Sequence, residues 1–179
     1  MSAPSWDTYP VIADKSQTLH RRDIDAENAA LECLDRFMTA FNFKDGKAIK
    51  DTFNFPSYRL VGNPPVMHEI DEETLEDRYG NGIDKKGIAW PYLKSVGWHH
   101  SSWDRRNIIW SQSDKVHLDC CFSRYRLNKD GSFSLIGVYE SVYIVSKNEN
   151  GHWGIQLRST SADAKAPKSF VTQNKKSKL

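Results

Sequence analysis

The chain has 179 residues and a formal net charge of +2, the size of one domain. Hydrophobic residues make up 39% and charged residues 27%, an ordinary water-soluble globular composition. No apolar run is long enough to span a membrane and the N-terminus lacks a secretory pattern, so membrane and secreted classes are set aside and a cytoplasmic protein is expected.

Residues 1–24 are polar, contain Pro4 and Pro10 and show no periodicity; they read as an extended arm preceding a domain over 25–162. The first helix is expected from about Ala26 to Phe43, with Asp25 as its N-cap. Ala30, Leu34, Phe37, Met38 and Phe41 recur at three- and four-residue spacing and form one apolar stripe. Asp45-Gly46 ends it, and a short helix follows from Lys47 to Phe53. Ser57 to Val61 and Val66 to Ile70 read as short strands separated by Pro64-Pro65. Asp71 caps a brief acidic helix over Glu72 to Tyr79, and Ile88 to Val96 holds another helical turn or two around Pro91. From Gly97 onward the pattern is β. Trp98 to Gln112, Lys115 to Leu127, Ser134 to Ser146 and His152 to Ser161 are strands joined by short turns at Ser113-Asp114, Asp130-Gly131 and Asn148 to Gly151. This is an α+β chain, helices first, then a long antiparallel meander that twists and curls. The tail, 163–179, is basic, with five lysines against Asp163; such a tail is a solvated end rather than a nucleic-acid surface.

Pairing back from the turns sorts the strand faces. One face is expected to collect Leu118, Ile144 and Ile155, then Cys120, Val142 and Leu157, then Phe122, Glu140 and Ser159, then Arg124 and Val138. The other collects Asp119, Tyr143, Cys121, Ser141, Arg158 and Tyr139. The first face, apolar at one end, should receive the helices and leave a pocket at its polar end. The second suits solvent or a symmetric dimer contact. A single β-bulge would exchange the faces.

Four groups carry candidate chemistry. His99 and His100 are adjacent in a strand, so one should face inward, where a histidine can move a proton near neutral pH. Glu140 lies in an apolar strand and, in this register, beside Arg124, as a tuned acid–base pair or a structural ion pair. Tyr58, Trp90, Tyr92, Trp98 and Trp103 are candidates to line the pocket. His117 and Asp119 form an H-x-D spacing too common to define a metal site, and no metal or cofactor is expected. Cys33, Cys120 and Cys121 make no disulfide framework, and reduced thiols are expected. The C-terminal Ser177-Lys178-Leu179 would be a peroxisomal address in a eukaryote.

The stretches Phe37-Met38-Thr39-Ala40-Phe41-Asn42, Phe55-Pro56-Ser57-Tyr58-Arg59-Leu60, Gly97-Trp98-His99-His100-Ser101, Phe122-Ser123-Arg124-Tyr125 and Gly151-His152-Trp153-Gly154, in this element order, resemble the nuclear transport factor 2-like superfamily, in particular its bacterial SnoaL-like (polyketide-cyclase-like) branch. The resemblance spans about Glu27 to Ala162. It implies a cone-shaped α+β barrel, helices packed on a strongly curved mixed or antiparallel sheet, homodimeric through the outer sheet face, with a small-molecule pocket in the cone. Its members include isomerases, dehydratases, cyclases and pure binding modules. By likeness to the dehydratases, His100 would move a proton; on the register above, Arg124 and Glu140 would orient a polar group, and Tyr58, Trp98, His99, Trp103, Phe122 and Ser159 would contact the substrate. The row where the isomerases would carry an acid holds Phe122 and Arg124. The expected function is small-molecule binding, with cofactor-free lyase or isomerase chemistry on a partly apolar substrate; the alternative is a non-catalytic ligand-binding or dimeric assembly module. Neither nucleic acid nor membrane is an expected partner.

Overall fold

A computed structural model describes residues 22–62, 64–82 and 87–160. Most of the arm, all of the basic tail and the terminal Ser177-Lys178-Leu179 lie outside the described residues. Helix α1 (Ile24–Phe43) starts one turn edge earlier than expected, because Asp23 rather than Asp25 is the N-cap and accepts from the Ala26 amide at 3.0 Å. Lys44, with φ 59°, closes it in the left-handed region. Asp45 then caps a second helix, α2 (Gly46–Lys50), accepting from the Ala48 amide at 3.0 Å. Phe53, expected in that helix, opens strand β1 (Phe53–Val61) instead. Strand β2 (Val66–Ile70), helix α3 (Glu72–Tyr79) with its Asp71 cap, and helix α4 (Ala89–Ser95) follow. The meander consists of β3 (Trp98–Gln112), β4 (Lys115–Leu127), β5 (Phe133–Lys147) and β6 (Trp153–Thr160).

The six strands form one mixed sheet in the order β2-β1-β6-β5-β4-β3, with β1 parallel to β6 and the other pairs antiparallel. The α1 stripe packs onto the inner face of this sheet. Leu34, Cys33, Ile49, Leu118, Cys120, Tyr143, Val145 and Ile155 are all buried in one core. Polar side chains fix the helices in place. The Asn42 amide donates to the Ser101 carbonyl at 2.9 Å and accepts from the Ser101 amide at 2.8 Å, tying the end of α1 to β3. The Trp90 indole donates to the Tyr79 carbonyl at 2.9 Å and ties α4 to α3. No helix among the described residues is long and apolar enough to cross a membrane.

The strand faces differ from those expected. The hairpin closes with Leu127 opposite Phe133 and Tyr125 opposite Leu135, but Arg124 then pairs with Gly137. Ile136 is an extra residue, a β-bulge, and it turns over every later side chain of β5 relative to β4. Leu118 therefore faces Tyr143, not Ile144, and Cys121 faces Glu140. A second bulge at Gln156 shifts β6, so Tyr143 pairs with Arg158 and Val142 with Ser159. The inner face thus carries Leu118, Cys120, Phe122 and Arg124 of β4 with the residues of β5 and β6 expected outside: Tyr143, Ser141, Tyr139 and Arg158.

Candidate functional site

Strand pairing puts His68, Arg59, Arg158, Tyr143 and Leu118 in one row across five strands of the inner face. A second group lies one step along the sheet. The Trp103 ring meets Phe122 at 5.9 Å and Tyr143 at 5.8 Å, both edge-on, while Phe122 stacks on Tyr139 at 5.0 Å. The Arg124 guanidinium sits over Tyr139 at 4.6 Å, Phe122 at 5.6 Å and Phe41 of α1 at 5.9 Å. The Arg158 guanidinium lies 5.9 Å from the Phe37 ring and 6.0 Å from that of Tyr143. Tyr79, at the end of α3, covers this region and meets Phe41 at 6.1 Å.

Arg59, Arg124 and Arg158 are crowded by protein on most sides, yet solvent still reaches part of each. All three are half-buried on the inner face. Among the described residues no carboxylate makes an ion pair with any of the three; the arginine ion pairs are Arg22–Glu27, Arg105–Asp119, Arg105–Glu140 and Arg106–Asp35. Buried Nε atoms of Arg59 and Arg124, and Nε2 of His68, have no hydrogen-bond partner among the described residues.

Electrostatics follow from that arrangement. Burial, then repulsion from Arg78 and Arg158, pulls Arg59 well below its ordinary value. Burial also lowers Arg124. Burial pulls on Arg158 too, but the phenols of Tyr143 and Tyr79 more than offset it, and its value is raised. Burial pushes Tyr79 upward, but the charges of Arg78, Arg158 and Arg59 prevail and bring its phenol down to about 7. Guanidinium groups keep their protons in proteins, so this end of the cone is strongly positive.

The expected site residues divide between three places. Arg124, Phe122 and Trp103 lie together on the inner face. Glu140 does not join them: the bulge at Ile136 sends it to the outer face, where the Arg105 guanidinium donates to it at 2.7 Å and holds Asp119 at 3.1 and 3.2 Å. The expected Arg124–Glu140 contact is therefore absent. Ser159 also lies on the outer face, with Glu140, Asp119, Val142 and Leu60 around an open hollow of about 360 Å³. Trp98 is buried core, edge-on to Phe41 and stacked on Trp90, its indole donating to the Ser101 hydroxyl at 2.9 Å. Tyr58, half-buried, pairs with Leu157 and Glu69, one residue out of phase with Arg59.

His99 and His100 do not point to opposite faces. A bulge between Trp98 and His100 places their Nδ1 atoms 3.1 Å apart. His100 stacks on Tyr125 at 5.0 Å, and the two histidine rings meet Phe133, which is exposed. Burial and then His99 hold His100 below its ordinary value. All three cysteines are free thiols, and burial followed by the Asp119 charge pushes Cys120 up to about 12. No cluster of metal-ligating side chains occurs among the described residues.

Sequence reasoning missed Arg59, Arg158, Tyr79, Tyr139 and His68. The available signal was a set of strand arginines with no acid on the same face. It became visible only once the Ile136 bulge put β4 and β5 in phase.

No family model matches the sequence, and no curated protein matches it. Solved structures do match its architecture. An NTF2-like protein with a cystatin-like fold from Novosphingobium aromaticivorans aligns with a TM-score of 0.61 at 12% identity, over 83% of this chain and 90% of that one. An NTF2-like superfamily protein from Salmonella enterica serovar Typhimurium aligns at 0.56 and 13% identity, over 80% and 95%. A ketosteroid isomerase-like protein from Erwinia carotovora aligns at 0.50 and 15% identity, over 75% and 93%. This chain has the nuclear transport factor 2-like fold, a helix-packed α+β cone.

Proposed function

We propose that this protein binds a small, partly aromatic molecule in the cone, on the inner sheet face between Arg59, Arg124, Tyr139 and Arg158. The observation that carries this reading is the set of buried polar atoms without partners among the described residues, Arg59 Nε, Arg124 Nε and His68 Nε2, amid aromatic rings. Buried polar groups left unpaired cost about 1–3 kcal/mol each, a cost that a bound ligand relieves. Aromatic walls with a few convergent polar groups are the usual make-up of a small-molecule site.

A second reading adds proton transfer. Tyr79, brought to about 7, can exchange a proton near neutral pH, as a cofactor-free lyase or isomerase of the SnoaL-like kind requires. The ketosteroid isomerase-like relative is consistent with that chemistry but at its low identity argues only for the fold. We also propose that the outer sheet face pairs with a second copy, since Ile109, Val138 and Val142 are exposed there.

Saturation-transfer NMR with neutral, cationic and anionic aromatic fragments tests the binding reading. A Gly137→Trp variant plugs the site, because even a Cβ at Gly137 comes 3.3 Å from the Tyr139 hydroxyl. Fragments should bind the native protein and lose their signal with the variant. No binding, or binding that survives the plug, would overturn the reading.

A further inference from the structure

Among the described residues, the arginines of the cone outnumber the groups that could neutralise them. Arg59, Arg124 and Arg158 have no carboxylate partner among the described residues. Aromatic rings offer their negative faces to Arg124 and Arg158, but a cation–π contact is weak beside a full ion pair. Even with Tyr79 ionised, one phenolate faces three guanidinium groups. Unlike a lysine, an arginine cannot escape burial by losing its proton. Uncompensated buried charges are retained against a steep desolvation cost.

Resting on the binding reading above, we infer that the cone ligand is a small aromatic oxyanion, a carboxylate or a phosphate, whose anionic group is held by Arg59, Arg158 and Arg124. Arg59 and Arg158 are direct cross-strand partners, so their guanidinium groups leave the sheet side by side. Two forks set in parallel suit the paired oxygens of a carboxylate or the face of a phosphate. His68, opposite Arg59 on the next strand, brings its unpartnered Nε2 to the end of the same row. Arg124 approaches from the neighbouring row. The flat body of the ligand lies against Tyr139, the half-buried ring beside Arg124. Tyr79, already close to Arg158 and Arg59, stands beside the same anionic group. The outer face is no competitor for an anion: its Arg105 is already engaged by Asp119 and Glu140.

Isothermal titration calorimetry tests the inference with benzoate, phenyl phosphate and benzamide, using the native chain, Arg59→Met, Arg158→Met and Arg105→Gln. At least one of the two anions should bind more tightly than the isosteric neutral benzamide. Arg59→Met and Arg158→Met should each weaken that anion by roughly 10- to 100-fold, the effect of losing a hydrogen bond to a charged group, and Arg105→Gln should leave it unchanged. Preference between benzoate and phenyl phosphate assigns the oxyanion. Benzamide binding as tightly as both anions, or anion binding indifferent to Arg59→Met and Arg158→Met, would overturn the anion inference while leaving the cone as a binding site. Failure of all three probes in a protein that binds other neutral fragments would do the same. Failure of every fragment would overturn the binding reading itself.

Discussion

Replacing Arg59 by methionine should make the ligand-free protein more stable, against the usual direction of a buried substitution. Arg59 is hemmed in on the inner sheet face, has an unpartnered Nε, and is held far below its ordinary value first by burial and then by Arg78 and Arg158. Its charge therefore opposes folding, while its aliphatic stem packs as methionine would. Exchanging a poorly compensated buried charge for an apolar side chain of similar length is stabilising by about 1–3 kcal/mol. In a domain of this size that raises Tm by roughly 2–12 °C. Thermal unfolding followed by circular dichroism in a non-binding buffer measures it. Inorganic phosphate should then raise the Tm of the native protein and have less effect on Arg59→Met. A Tm that falls by several degrees in the variant would refute the reasoning, since it would mean that the guanidinium is paired in the native fold.

Three further outcomes follow from the same structure. Tyr79, with its folded value near 7 against an ordinary 10.0, contributes a stability that is present above the higher value and lost as pH falls through the lower one; the native protein should gain on Tyr79→Phe between about pH 7 and about pH 10, read by urea denaturation at several pH values. Glu27, buried and held below its ordinary value first by Arg22 and also by the Ser111 hydroxyl, contributes stability at neutral pH that is lost on acidification. Glu27→Gln should cost about 1–2 kcal/mol near pH 7, discounted because Arg22 is exposed, and the gap should close below about pH 4, measured by the same denaturation series. Gly154→Ala should cost about 1–3 kcal/mol by overpacking, because the added Cβ would lie 2.6 Å from backbone atoms of Phe53 and Asn54; the urea midpoint reports it.

Local chemistry made the elements legible. The Asp71 cap, the Pro64-Pro65 break and the alternation of Lys115 to Leu127 each act over a few residues, and those boundaries are where the sequence places them. Faces are a different matter, since they depend on summed register across a hairpin. Nothing in Ser134-Leu135-Ile136-Gly137 announces that Ile136 is the extra residue, yet it decides that Glu140 points out and Tyr139 and Tyr143 point in. Arg124 and Phe122 were legible because β4 keeps the face expected of it. Arg59 and Arg158 were not, because their partnership runs through the parallel pairing of β1 with β6, which brings together residues 99 positions apart and leaves no local mark. The histidine pair failed for a local reason: the bulge after Trp98 breaks the alternation that should have separated the two rings.

The most direct test of the anion-binding cone is a crystal structure of the protein soaked with 4-bromobenzoate, with the bromine located by its anomalous signal. The account predicts a bromine beside Tyr139, with the carboxylate against Arg59 and Arg158. A bromine found only in the outer hollow beside Glu140 and Ser159, or a carboxylate turned away from the arginines, would contradict it.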